Sequence, residues 1–317
     1  MGVGLTRSLP WAVMPLPPPL EHMRRIVGDD VRGLLVAQPL PPEWFRRTEH
    51  DPGLFDQDAV LWRVHADRCG LIGGLRALML QTLHPLAMAG VAQHSDYRND
   101  PWGRLQRTAS FIAVTTYGCT SAAERLIGRV RAIHDRVEGV AADGRPYRAN
   151  DPHLLAWVHA TEVDSFLQAY QRYGGSTLTD AEADRYVAEM GQIASRLGVI
   201  DPPQSRAELR VTLAGFRSEL QVTREAREAV RFLAWPPLPL YLRPAYGVLT
   251  AAAAGLLPGF VRRELRIVLA PLTDPLLVQP AARLLLGALG LTLGEGPPAL
   301  QLVEEQSSPS THPGRTA

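Results

Sequence analysis

The sequence predicts an all-α protein, a single mostly helical domain. Three observations carry that prediction. Apolar residues recur at helical spacing over most of the chain, with almost no strand-like alternation. Helix-start signals recur: Asp151-Pro152, and Ser or Thr followed three residues later by Glu at Ser121/Glu124, Thr179/Glu182 and Ser205/Glu208. Breaks follow several of these segments, at Gly118, at Gly174-Gly175 and at Pro236-Pro237.

Residues 1–50 are rich in proline and arginine and read as an irregular arm with short helices. The first strong segment runs from about Gly70 to Val91. Leu75, Leu78, Met79, Leu80, Leu83, Leu86 and Met88 cover nearly its whole circumference, which marks a buried helix. Pro85 inside it removes one helical N–H and predicts a kink at His84-Pro85. The next helix spans Arg104 to Tyr117 and stops at Gly118. Arg104, Arg107, Thr108, Phe111 and Thr115 share one of its faces.

Ser121-Ala-Ala-Glu124 predicts a capping box opening a helix that ends near Gly139, with Leu126, Val130, Ile133 and Val137 as its apolar face and His134 within that face. Asp151-Pro152 opens a helix to about Tyr173, on which Leu155, Val158, His159, Glu162 and Phe166 share a face. Two more capped helices follow. Pro236, Pro237 and Pro239 break the chain, and two or three short helices lie between Leu242 and Leu291. Residues 301–317 lack apolar periodicity and read as a disordered tail. One domain over 51–300 is the expectation.

Composition excludes several classes. Formal net charge is +1, so nothing global favours nucleic acid or an anionic membrane. Every basic residue is arginine, which points to genome composition rather than to function. Cys69 and Cys119 form no CxxC pair, and a reducing cytoplasm is the default compartment. Prolines interrupt the apolar N-terminal stretch, so it does not read as a signal peptide. No charge-free apolar window of about 20 residues exists to span a membrane. HExxH, GxSxG, P-loop and GxGxxG motifs are all missing. A di-iron bundle needs two Glu-x-x-His pairs. The chain has none, and only the reversed His159-x-x-Glu162.

What remains is histidine on apolar helix faces: His84, His134 and His159. A core histidine is most often a satisfied structural residue. His84 has such a role open to it, bonding a carbonyl freed near Gln81, and His159 has one in pairing with Glu162. Imidazole also ligates haem iron from rigid helices lining apolar slots, and His134 fits that use best. Arg104 and Arg107 either pair with Asp96, Asp100 or Asp164, or hold an anion such as a haem propionate.

Residues 78–108 contain His84-Pro85, Gly90, His94-Ser95-Asp96-Tyr97-Arg98, Asp100-Pro101, Gly103-Arg104 and Arg107-Thr108. This stretch resembles the hallmark of the MpaB-type and rubber-oxygenase family. His134-x-x-Val137-x-Gly139, Asp151-Pro152 through Trp157-Val158-His159-Ala160, and Leu256-Leu-Pro258 with Arg262-Arg263 continue the resemblance in order, over roughly residues 60–270. The resemblance implies a mostly helical fold with a globin-like core, and b-type haem that cleaves carbon–carbon double bonds with dioxygen. It implies His134 as iron ligand and maps the family's Arg-x-x-Lys-Thr motif onto Arg104, Arg107 and Thr108.

Two departures qualify it. The family lysine is Arg107 here, and a guanidinium is a poor metal ligand. The family's catalytic carboxylate has no clear match; Asp96 and Asp100 are the nearby candidates. The expectation is a cytoplasmic haem b oxygenase acting with dioxygen on a small apolar, isoprenoid-like substrate. His134 would hold iron, with Arg104, Arg107 and Thr108 as distal groups and His84 and His159 beside the cofactor. The alternatives are a non-catalytic haem carrier or sensor, and a metal-free helical protein that binds a lipid or partner.

Overall fold

The computed structural model describes residue 33, residues 40–267 and residues 273–293. Of the arm expected over 1–50, only Gly33 and the part from residue 40 fall within that range, and a 3₁₀ turn over Pro42–Phe45 lies there. The tail expected over 301–317 lies outside it. The described residues are predominantly α-helical, as expected, with twelve α-helices and one two-stranded hairpin.

The helices are α1 (Val60–Ala66), α2 (Gly70–Gln81), α3 (Pro85–His94), α4 (Pro101–Tyr117), α5 (Thr120–His134), α6 (Pro152–Tyr173), α7 (Asp180–Leu197), α8 (Arg206–Gly215), α9 (Arg224–Ala234), α10 (Arg243–Gly255), α11 (Gly259–Glu264) and α12 (Gln279–Leu293). Strands β1 (Glu138–Val140) and β2 (Pro146–Arg148) pair antiparallel between α5 and α6. No helix among the described residues is long and apolar enough to cross a membrane.

The central helix is α6, whose buried residues run around its whole circumference: Trp157, Ala160, Val163, Phe166, Leu167, Ala169 and Tyr170. It packs along α2, and also touches α1, α3, α7, α8 and α12. Gly73 permits the tightest part of the α2–α6 contact, because a Cβ there would lie 3.1 Å from the Phe166 backbone. The main apolar cluster joins Leu61, Ile72, Val163, Tyr186, Val187, Leu209 and Ala252 from six helices. A second surrounds Met79, Leu83, Met88, Trp157, Phe216 and Val261.

A buried cation ties this interior together. Arg76, only 3% exposed, pairs with Asp164 at 2.7 Å and donates to Ser165 Oγ at 2.7 Å, both on α6. Its Nε donates to the carbonyl of Leu256 at the end of α10, at 3.0 Å. One guanidinium therefore joins α2, α6 and α10, and three of its donors are satisfied. A second buried charge acts similarly. Glu189 on α7 accepts the backbone N–H groups of Val60 (3.2 Å) and Leu61 (2.8 Å), which begin α1. An anion at a helix N-terminus meets donors that have no intrahelical partner.

Several local expectations are corrected. The segment over 70–91 is not one kinked helix: it breaks between Gln81 and Pro85, where His84 is extended (φ −88°, ψ 113°) and leads into α3 with Pro85 at its first turn. Extended backbone before proline relieves the clash with the pyrrolidine ring. Gly118 ends α4 in extended rather than left-handed backbone; a Cβ there would lie 2.5 Å from the Val114 carbonyl oxygen.

Ser121 and Glu124 form no capping box, since the N-cap of α5 is Cys119, two residues earlier. Ser121 instead donates its N–H (2.9 Å) and hydroxyl (2.6 Å) to Asp51, and Glu124 pairs with Arg196. A loop carboxylate has taken the capping role. Helix α5 ends at His134 rather than near Gly139, because residues 138–140 pair with β2. The Thr179/Glu182 box forms in full. At Ser205 the hydroxyl caps Glu208, but the Glu208 carboxylate reaches the Gln204 N–H instead.

Removing the Arg76 charge strands Asp164 and leaves the Ser165 and Leu256 acceptors unpaired. Arg76→Met should destabilise the fold by about 3 kcal/mol, as for other broken buried pairs. Thermal melts followed by circular dichroism should show Tm falling by roughly 6–12 °C. Adding Asp164→Asn should recover part of that loss. A single variant that melts like wild type would show that the clamp carries no net stability.

Candidate functional site

The residues expected at a site lie mainly on α4, α5 and α6. Helix α4 packs on α5 and α1, and α5 packs on α7, but neither α4 nor α5 packs extensively on α6. The inner face of α5 carries Ala123, Ile127, Val130 and His134, spaced i, i+4, i+7 and i+11. Ala123 and Ile127 are buried, yet among the described residues they join none of the five close-packed apolar clusters. The apolar surroundings expected for His134 are partly corrected. Ile133 is 43% exposed, because a residue next to the inner face on a helix points away from it.

His134 is the last residue of α5 and is half-buried. Its Nδ1 is buried and has no hydrogen-bond partner. Burial pushes its pKa below the ordinary histidine value, against an opposing pull from Asp135. The ring is therefore neutral near pH 7, the form that binds metal.

Helix α6 starts from Asp151, whose carboxylate accepts the His153 N–H at 2.8 Å. It carries His159, which is buried, with Nε2 unpartnered and a pKa pushed down to about 4 by burial. The expected His159–Glu162 pair does not form: Glu162 makes no hydrogen bond or ion pair with any described residue, and burial pushes its carboxyl up to about 7. Its charge is felt by the Tyr186 phenol, which places it on the α7 side. There His65 bridges Thr116 Oγ1 (2.8 Å, from Nδ1) and the Tyr186 hydroxyl (3.4 Å, from Nε2). The His65 ring lies edge-on to Phe166 at 5.4 Å, and burial pushes its pKa down to about 4. Sequence reasoning missed His65 and Tyr186. Both sit among apolar residues at ordinary helical spacing, and only the α1–α7 contact brings them together.

The α4 motif grades from solvent to interior. Arg107 is 68% exposed and pairs with Asp100 at 3.1 Å. Thr108 is exposed and donates to the Arg104 carbonyl at 3.1 Å. Arg104 is half-buried, donates to Ser95 Oγ at 2.8 Å, and has its pKa lowered by burial. Phe111 is half-buried and Thr115 fully buried. Asp100 caps α4 by accepting the Gly103 N–H, Asp96 accepts from the Asn99 amide, and Asp164 belongs to Arg76.

His84 joins a different group. It is fully buried, and its Nε2 faces Glu219 at 3.3 Å rather than a carbonyl near Gln81, while its Nδ1 has no partner. The Gln81 carbonyl accepts from the Trp157 indole at 3.4 Å instead. His153 Nε2 lies 2.9 Å from the other Glu219 oxygen. Elsewhere, an open cleft of about 300 Å³ beside Leu54, Arg185 and Glu189 holds none of the unpartnered groups.

Residues 62–288 match the family model of the ER-bound oxygenase mpaB/B′ and rubber oxygenase catalytic domain. Uncharacterised proteins of Mycobacterium bovis and Mycobacterium tuberculosis are each 29% identical over 144 residues, which covers 43% of this chain. The chain spans about half the length of these curated relatives, 56% of each. No solved structure matches the chain. The family match covers well over half of the sequence and every helix that carries a candidate site residue, so the chain belongs to the mpaB and rubber-oxygenase catalytic-domain family.

Proposed function

We propose that this protein is a haem b-dependent oxygenase that uses dioxygen on a small apolar, isoprenoid-like substrate. Membership in an oxygenase family supports the reaction class. The observation that carries the cofactor is His134: a neutral imidazole with a buried, unpartnered nitrogen, on a helix face that joins no apolar cluster. A neutral imidazole with an orphaned buried nitrogen, on a helix face shared with the buried Ile127 and half-buried Val130, fits the chemistry of a haem-iron ligand. His134 is the residue that would hold the iron, and Arg104, the most buried cation of the α4 motif, is the one that would pair with a propionate.

Haem, when bound, supplies the activation of dioxygen, and the protein supplies binding, orientation and electrostatics. Phe111, Ile112 and Phe166 lie against the main apolar cluster and can exclude water from an alkene. His159 and His65 stay neutral, and Glu162 titrates close to neutral pH, so its carboxyl can take up or release a proton during turnover. The exposure of Arg107 and Thr108 favours a second reading, a haem carrier or sensor, because those two donors face water.

Replacing His134 with Ala should abolish stoichiometric haem binding, read from the Soret absorbance on haem titration, and leave the helical circular dichroism intact. If His134→Ala binds like wild type while His159→Ala does not, the ligand is His159. Haem-loaded protein given a short isoprenoid and a reductant should consume dioxygen and release carbonyl products detectable by mass spectrometry. Firm haem binding without products across an alkene panel would favour the carrier.

Glu162 yields a pH prediction. Its folded pKa of about 7 lies above the ordinary 4.5, so between those values the folded state holds a proton that the unfolded chain has released. Stability therefore falls as pH rises through that window, and the penalty is complete above it. Glu162→Gln removes the ionisation. The variant should match wild type near pH 4.5 and exceed its Tm at pH 8 by roughly 6–12 °C. A difference that does not change with pH would show that Glu162 is not held protonated by burial.

A further inference from the structure

We propose that His84, His153 and Glu219 form a binding site for one divalent transition-metal ion of the zinc class. Of the residues the sequence places beside a haem, this site takes only His84, and it does not depend on the haem reading. The three residues come from separate segments: the start of α3, the first turn of α6, and the turn after α8. Their donor atoms all lie within 4.8 Å of one another. His84 Nε2 is 3.3 Å from one Glu219 oxygen, and His153 Nε2 is 2.9 and 3.0 Å from the two. Ligands around a tetrahedral ion at about 2.0–2.2 Å sit some 3.3–3.6 Å apart, so small side-chain rotations would admit the ion.

The donor set is chemically apt. Two imidazoles and one carboxylate make a borderline nitrogen and oxygen site of the kind zinc occupies, with a position left for water. Burial grades in the sense such a site needs: His84 is fully buried, Glu219 is one-third exposed and His153 over half exposed, so the open coordination position faces solvent. Trp157 and Phe216 wall the inner side, with Phe216 4.5 Å from the His153 ring and 6.1 Å from the His84 ring. The Gln221 N–H donates to the Leu83 carbonyl at 2.8 Å, which pins the Glu219 segment to His84 before any ion arrives.

A second observation points the same way. The His84 Nδ1 is buried without a partner, so the ring makes a single polar contact, through Nε2 toward this cluster. An imidazole kept in an apolar interior for packing alone would be better replaced by a hydrocarbon. What distinguishes it is the nitrogen it presents to Glu219 and His153.

The test uses tag-free full-length protein stripped with chelator. Zn²⁺ titration calorimetry should show one saturable equivalent, and Co²⁺ should develop ligand-field absorption bands at the same stoichiometry. His153→Ala, at an exposed position, and Glu219→Gln, which keeps the hydrogen bond to His84, should each weaken Zn²⁺ binding by about 100-fold or more. His134→Ala should leave it unchanged, which separates this site from the haem ligand. Wild-type protein with no saturable binding at submillimolar Zn²⁺ would overturn the proposal. So would Zn²⁺ affinity in His153→Ala and Glu219→Gln equal to that of wild type.

Discussion

The arrangement of this molecule depends on the clamp made by Arg76. A guanidinium with almost no access to water is tolerated only when its charge is paired and its donors are met. Asp164, Ser165 and the Leu256 carbonyl meet them, and they lie on two different helices. The clamp thereby fixes the position of α6 relative to α2, and α6 carries His153, His159 and Glu162. Gly73 allows the two backbones to approach at the same place. Packing and electrostatics agree here, and the chemistry-bearing groups inherit their positions from that agreement.

The interior is unusual for what it leaves unsatisfied. His159 and His134 each bury a nitrogen without a partner, and Glu162, its carboxyl raised by burial, has no ion-pair partner among the described residues. Each is unfavourable for folding, because a buried polar group without a hydrogen bond loses its water and gains nothing in return. Groups of this kind concentrate at functional sites. His159 and Glu162 lie on α6 and His134 at the end of α5, whereas Arg76 and Glu189, which serve the fold, are paired and hydrogen-bonded.

Much of the architecture was legible in the sequence because it is local. Helical periodicity and the Asp151 and Thr179 caps depend on residues within four positions of each other, and they formed as read. The misreadings share a different cause, since each turned on a partner distant in sequence. Ser121 was read as a cap, but Asp51 reaches across 70 residues to take its hydroxyl. The 138–148 hairpin carries three-residue strands, too short to alternate visibly. His84 was read against its own carbonyls, but its partner Glu219 is 135 residues away. The site was legible as a set of histidines on apolar faces. Which of them converge, and on what, was decided by tertiary contacts with no local signature.

The Glu189 contact with the start of α1 has a mechanical side. Two backbone N–H groups at the head of a seven-residue helix are held by a carboxylate rooted in α7. The same helix ends with His65 leaning on the Tyr186 hydroxyl, one turn earlier on α7. Helix α1 is thus pinned at both ends to a single neighbour, like a rung fixed to one rail. The other nitrogen of the His65 ring meets Thr116 on α4 at 2.8 Å, so one imidazole on a short helix couples α7 to α4.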